Sequence, residues 1–129
     1  MESFFFCINS PTYLNVISWN INGITNKLEN DDMLKWLINY DVIFLNEIKT
    51  DVMFNLPGYK TYLSCNSNRR GGTALLLKNY LINCVGNIDT TLDGQIWLEL
   101  SILQNITLVG CYIPPSDSPY FDGRIFANM

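Results

Sequence analysis

Three apolar stretches of this chain each close on a side chain able to handle a cation or a phosphate. NVISWNINGI (Asn15 to Ile24) runs from apolar residues into two carboxamides, Asn20 and Asn22. DVIFLNE (Asp41 to Glu47) ends on the Glu47 carboxylate, and NITLVGCYIPP carries the phenol of Tyr112 just before two prolines. An amide oxygen beside a carboxylate suits a hard cation such as magnesium. That ion takes one or two carboxylates and fills its remaining positions with water and substrate phosphate. A phenol at the same edge can hydrogen-bond a phosphate oxygen or donate a proton. Singly, each residue has an ordinary reading: an Asx-turn at Asn20, a solvated strand end at Glu47 and a buried tyrosine at Tyr112. The matched positions of Asn20 and Glu47 at strand ends favour the metal reading.

Those positions depend on the elements that carry them. LNVISW (Leu14 to Trp19) reads as a first buried strand. ENDDMLKWLINY follows as an amphipathic helix, acidic in its first turn, with Met33, Leu34, Leu37 and Ile38 on one side. DVIFLNE is a continuous β-prone run and hence a second buried strand. Strand, helix and strand in that order predict a right-handed parallel crossover, which places the ends of both strands on one edge, where open α/β sheets bind ligands. Beyond the turn at Pro57-Gly58, the short runs KTYLS, TALLLK, YLINCV, QIWLEL and NITLVGCYI alternate with turn-rich pieces. That spacing predicts antiparallel sheet. The fold class is therefore α/β (α+β), with more sheet than helix.

Composition sets the outer bounds. A chain of 129 residues with 48% hydrophobic and 16% charged residues can bury one ordinary core. Its net charge of −4 supplies no general basic field, so any contact with phosphate must come from local groups. Arg69 and Arg70, ahead of Gly71-Gly72, are such a group, and a double arginine in a polar turn suits either a nucleic-acid backbone or a solvated face. Cys7, Cys65, Cys84 and Cys111 lack the close spacing of a zinc or redox motif, and the chain has no histidine. They read as small apolar core residues of a reducing compartment. The opening MESFFFCINS lacks the basic and long apolar regions of a signal peptide, and no run approaches the ~20 apolar residues of a membrane span. A soluble, intracellular protein is expected.

Taken in order, ISWNINGI, YDVIFLNEIKT, LPGYKTY, RRGGTALLLKN, DGQIWLEL and VGCYIPPSDSPYF resemble the endonuclease/exonuclease/phosphatase superfamily. Within it the chain is most similar to the apurinic-endonuclease-like domains that open many non-long-terminal-repeat (LINE-type) retrotransposon proteins. The resemblance spans about Leu14 to Phe121. It implies about one half of a four-layer α/β sandwich: an N-terminal extension over 1–13 and, over 14–129, the domain itself, truncated on its C-terminal side. The implied activity is metal-dependent phosphodiester hydrolysis with Mg2+ or Mn2+, on DNA in the full-length form and with a nuclear role. By this resemblance Asn20 helps bind the metal and its water network, and Glu47 is the principal metal ligand. Asn22 stands where a metal-touching aspartate is usual, Tyr112 contacts the scissile phosphate, and Arg69 and Arg70 belong to a substrate-facing loop.

The GDFN-like and SDH-like motifs that complete such a site are absent from the sequence. The resemblance thus implies a fragment with little turnover of its own, and with an exposed sheet face and strand edge open to self-association. Two other readings stay open: a non-catalytic remnant that binds through that edge, and a superfamily member acting on inositol phosphates, sphingomyelin or poly(A). The RRGG and YIPPSDSPYF segments favour the retrotransposon branch over the latter.

Overall fold

Two central strands buried on both faces organise the molecule. The computed structural model describes residues 13–64, 72–92, 94–102 and 104–112. Its elements are β1 (Val16–Asn20), α1 (Asp31–Leu37), β2 (Val42–Asn46), β3 (Tyr59–Leu63), β4 (Thr73–Lys78), a 3₁₀ helix (Asn79–Cys84), β5 (Val85–Asp89), β6 (Gln95–Ser101) and β7 (Asn105–Cys111). A mixed sheet in the order β1-β2-β4-β3 packs on an antiparallel sheet in the order β5-β6-β7. As expected, β1 and β2 are parallel, and every other pairing among the described strands is antiparallel.

All five residues of β2 are buried. Ile43 and Leu45 point into one core with Ala74 and Leu76 of β4, Met33 and Leu37 of α1, and the loop residues Ile21, Ile24 and Ile48. Val42 and Phe44 point the other way, into a core shared with Leu75, Leu77, Ile96, Leu98 and Leu100. Strands covered on both faces read as unbroken apolar runs, which is why DVIFLNE and TALLLK were legible in the sequence. Each fully buried Leu or Ile contributes about 1.5–3 kcal/mol by leaving water. Asn30 caps α1 by accepting a hydrogen bond from the Met33 amide at 3.0 Å, and Asp31 and Asp32 sit in the first turn, where the helix dipole favours negative charge.

Four expectations need correction. First, β1 is not a buried strand. Its exposure alternates, and Val16 is 42% exposed, because β1 is an edge strand whose inner face the second sheet does not reach. Second, Ile38 leaves the helix stripe: it is the C-cap, 53% exposed, while Met33 and Leu37 carry the burial. Third, YLINCV is mostly 3₁₀ helix. Its buried residues, Leu81 and Cys84, lie three apart, which is the repeat of that helix, and the strand starts only at Val85. Fourth, no broad apolar sheet face is open among the described residues. The outer side of the second sheet is mixed: Gln95 is buried, Trp97 is half-buried, and Glu99, Thr107 and Val109 are exposed. Among the described strands β6 and β7 lie across β4, and β7 reaches β2, so β1 and β7 end the two sheets on the same flank.

Cys84 is buried as expected and Cys111 is half-buried; Cys7 and Cys65 lie outside the described residues. No helix among the described residues is long and apolar enough to cross a membrane. The far end of the crossover is held by Tyr59, whose hydroxyl reaches the carbonyls of Leu37 at 2.9 Å and Tyr40 at 2.5 Å. Burial, then the nearby Asp41 charge, push this phenol up to about 12. A raised tyrosine stabilises the fold fully below the unfolded ionisation near pH 10 and loses that contribution as pH climbs towards the folded value. Tyr59→Phe is expected to cost about 1 kcal/mol at neutral pH. In urea titrations the gap between the two proteins should narrow as pH is raised from about 9 to about 11.

Candidate active site

Parallel pairing aligns Asn20 with Asn46 at the ends of β1 and β2, and the pairing continues beyond both strands. Ile21 N–H donates to Asn46 O at 3.0 Å, Gly23 N–H to Glu47 O at 2.7 Å, and Ile24 N–H to Ile48 O at 3.0 Å. Ile21, Ile24 and Ile48, each at most 2% exposed, plug these loops into the helix-side core. Lys27 ties the first loop down by donating to Ile21 O at 2.7 Å and Gly23 O at 3.3 Å. The loops are thus zipped together and pinned from below, with their polar side chains left at the surface.

Within this frame Glu47 is the focus. Asn20 Nδ2 donates to Glu47 Oε2 at 3.1 Å, and the Tyr112 hydroxyl donates to the same oxygen at 2.5 Å. Because a carboxylate only accepts, both partners must present hydrogens to it. Asn20 therefore turns its nitrogen to Glu47, while its Oδ1 accepts from the Asn22 amide at 3.2 Å. The Asn22 side chain does not face Glu47; its Oδ1 accepts from Lys49 Nζ at 2.5 Å. The Tyr112 bond, first of all, then the Asn20 bond and the Lys49 charge, hold Glu47 below the usual carboxylate range against the opposing effect of burial. In return, Glu47 and then burial push the Tyr112 phenol up to about 12.

Asn22, Glu47 and Lys49 have φ of 50°, 54° and 58°, and they are the non-glycine residues in the left-handed region among those described. Such backbone costs on the order of 1 kcal/mol or more per residue and gathers at functional sites. Lys49 was not singled out in the sequence, where it reads as one lysine in NEIKT. Asn46 was missed too. It is 7% exposed and bridges Ser18 Oγ and Thr73 Oγ1, both at 3.4 Å, forming a polar row across β1, β2 and β4 beneath the site. An asparagine inside a fully buried run was the signal that could have found it.

The donor set fits a hard divalent cation held by one carboxylate. Glu47 Oε1 accepts no hydrogen bond from the described residues, whereas both carboxamide oxygens are already engaged. Among the described residues no three Asp, Glu, His or Cys side chains cluster, so water and phosphate oxygens would have to supply the rest. Arg69 and Arg70 lie outside the described residues.

The model of the Endonuclease/Exonuclease/phosphatase family matches residues 17–125. The chain belongs to this family. Solved structures share the fold at low identity. An AP endonuclease from Leishmania major is 18% identical with a TM-score of 0.63, over 80% of this chain and 41% of that one. An AP endonuclease from Archaeoglobus fulgidus is 21% identical with a TM-score of 0.60, over 83% and 45%. The 3' phosphatase NExo (D146N) from Neisseria, bound to product DNA hairpin, is 17% identical with a TM-score of 0.61, also over 83% and 45%. The chain thus spans less than half the length of these structures. No curated protein matches it in sequence. Family membership places the zipped loops in a fold that is shared with DNA-processing enzymes.

Tyr112→Phe is expected to raise the Glu47 pKa towards its ordinary value, since it removes the largest stabilising contact of the carboxylate. Glu47 with its lowered pKa stabilises the fold above the unfolded carboxylate range, and that contribution is lost as pH falls through the folded value. Side-chain carboxyl NMR across the acid range reads both effects.

Proposed function

We propose that this chain is the Glu47-bearing part of a magnesium- or manganese-dependent phosphodiesterase, a DNA endonuclease of retrotransposon origin with its domain beginning near Leu14. The observation that carries this reading is the convergence of Asn20 and Tyr112 on one oxygen of Glu47, at the tips of a zipped parallel strand pair. The family match supports the reaction class, and the DNA hairpin in the Neisseria enzyme supports the substrate class. The order of the ISWNINGI, RRGG and YIPPSDSPYF segments supports the retrotransposon branch.

In this reading Glu47 is the cation ligand, and a bound divalent ion would supply electrophilic activation of the phosphate. Asn20 orients the Glu47 carboxylate and keeps one of its oxygens occupied. Tyr112 keeps its proton at neutral pH, so its hydroxyl can turn from Glu47 to donate to a phosphate oxygen as substrate enters. Asn22 would serve the cation site at one remove, with its oxygen held by Lys49, and that ammonium would add positive charge where a phosphate arrives. Arg69 and Arg70 meet the nucleic-acid backbone. The second carboxylate and the histidine of a complete site would come from other polypeptide, because the chain has no histidine and no GDFN-like motif. The free edges of β1 and β7 support a second role in association, with another copy or with a completing segment.

In a full-length protein Glu47→Ala is expected to abolish magnesium-dependent nicking of supercoiled plasmid while leaving the protein folded; retained nicking would remove Glu47 from the site. The 129-residue chain alone is expected to leave supercoiled and abasic-site plasmid intact with magnesium. Robust metal-dependent cleavage by the purified chain would overturn the incompleteness of its site.

A further inference from the structure

The hydrogen bond between Tyr112 and Glu47 joins two different sheets, so something must set the height of one sheet above the other at that point. Along β7, Ile106 and Leu108 face the inter-sheet core, and alternation puts Gly110 on the same face, followed by Tyr112. Gly110 is buried, and a methyl group built on it would overlap Cδ1, Cε1 and Cγ of Phe44 in β2. Phe44 is 3% exposed, and Cγ is the root of its ring, so a simple swing of the ring tip does not clear the space. The β7 backbone at Gly110 therefore rests directly on the Phe44 ring.

That contact lies close to the site on both strands. Gly110 is two residues before Tyr112, and Phe44 is three before Glu47, which is about 7 Å and 10 Å of strand. A further restraint on Tyr112 is its amide hydrogen bond to Gly94 O at 2.9 Å. Gly94 leads into β6 of the same sheet, so this bond fixes Tyr112 within the sheet and moves with it. It does not set the distance to Glu47.

We propose that Gly110 is a positioning residue of the active site: having no side chain, it seats β7 on Phe44 and so brings the Tyr112 hydroxyl down to Glu47. Carbon atoms in contact lie about 3.5–4.0 Å apart, so relieving the overlap of an added methyl requires a shift on the order of 1 Å or more. An O–H···O bond is spent beyond about 3.0 Å, so a shift of that size parts the pair. Phe44 and Gly110 form one large-and-small unit, in which the bulk of one demands the absence of the other. The catalytic meaning of this placement rests on the function proposed above, but the placement itself does not.

The test uses the chain labelled with 13C at the tyrosine Cζ, without metal or substrate. The Tyr112 resonance is identified by its loss in Tyr112→Phe, and its shift on Glu47→Ala measures the Tyr112–Glu47 coupling. The Gly110→Ala chain is expected to stay folded and to lose that shift, leaving no more response than a distant tyrosine such as Tyr40 shows. Adding Phe44→Ala, which removes the overlapped ring carbons Cδ1, Cε1 and Cγ, is expected to restore the shift. A folded Gly110→Ala chain with the full shift overturns the proposal, as does a folded double variant without it. If Gly110→Ala does not fold, the double variant decides. Folding with the shift restored supports the proposal, and failure to fold while Phe44→Ala alone folds overturns it. Absence of nicking in a full-length protein would count against the proposed function and leave this coupling untouched.

Discussion

Everything at the candidate site depends on parallel pairing that does not stop where the strands stop. The bonds from Ile21, Gly23 and Ile24 to Asn46, Glu47 and Ile48 carry the β1–β2 register out into two loops. Loop backbone normally relaxes into water, but here three buried isoleucines hold it against the helix-side core. That support lets Asn22, Glu47 and Lys49 keep left-handed backbone, which turns their side chains to the surface instead of along the strand direction. Burial of apolar groups on one side thus holds polar groups in place on the other.

The electrostatics follow from that frame. Glu47 receives two donors on one oxygen and a lysine charge nearby, so it stays ionised, and Tyr112 correspondingly holds its proton. An ionised carboxylate beside a protonated phenol can bind a cation and still offer a hydrogen to phosphate. Lys49 answers the question raised by Asn22. A carboxamide in that place cannot carry the charge of an aspartate, and its oxygen instead accepts from the lysine ammonium. The two asparagines at one strand tip therefore do different work: Asn20 orients Glu47, and Asn22 engages Lys49.

The second sheet reaches the site only because its approach is locally unobstructed. β7 is an edge strand, and its amide bond from Tyr112 to Gly94 ties it sideways. Its depth is set where Gly110 meets Phe44. The same layout leaves β1 uncovered on its inner face and puts the free edges of both sheets on one flank. Among the described residues β1 and β7 each pair with one strand, and the chain spans less than half the length of its structural neighbours.

The sequence by itself determined the periodic parts. Strands covered on both faces, such as β2 and β4, announce themselves as unbroken apolar runs, and an amphipathic helix with an acidic first turn between two strands predicts their parallel order. From that order alone Asn20 and Glu47 belong on one edge, and the motif order marks the family. It misled where burial is decided by a neighbour far along the chain: β1 is as apolar as a core strand but lies at an edge, and YLINCV is as β-prone as a strand but turns in steps of three. Only the tertiary structure decided which atom of Asn20 faces Glu47, that Lys49 occupies Asn22, that Asn46 bridges three strands, and that a glycine in one sheet rests on a phenylalanine in the other. Each of these is a contact between residues more than twenty positions apart. Local composition fixes propensity and alternation, whereas hydrogen-bond direction and packing height arise when distant segments share the same few ångströms.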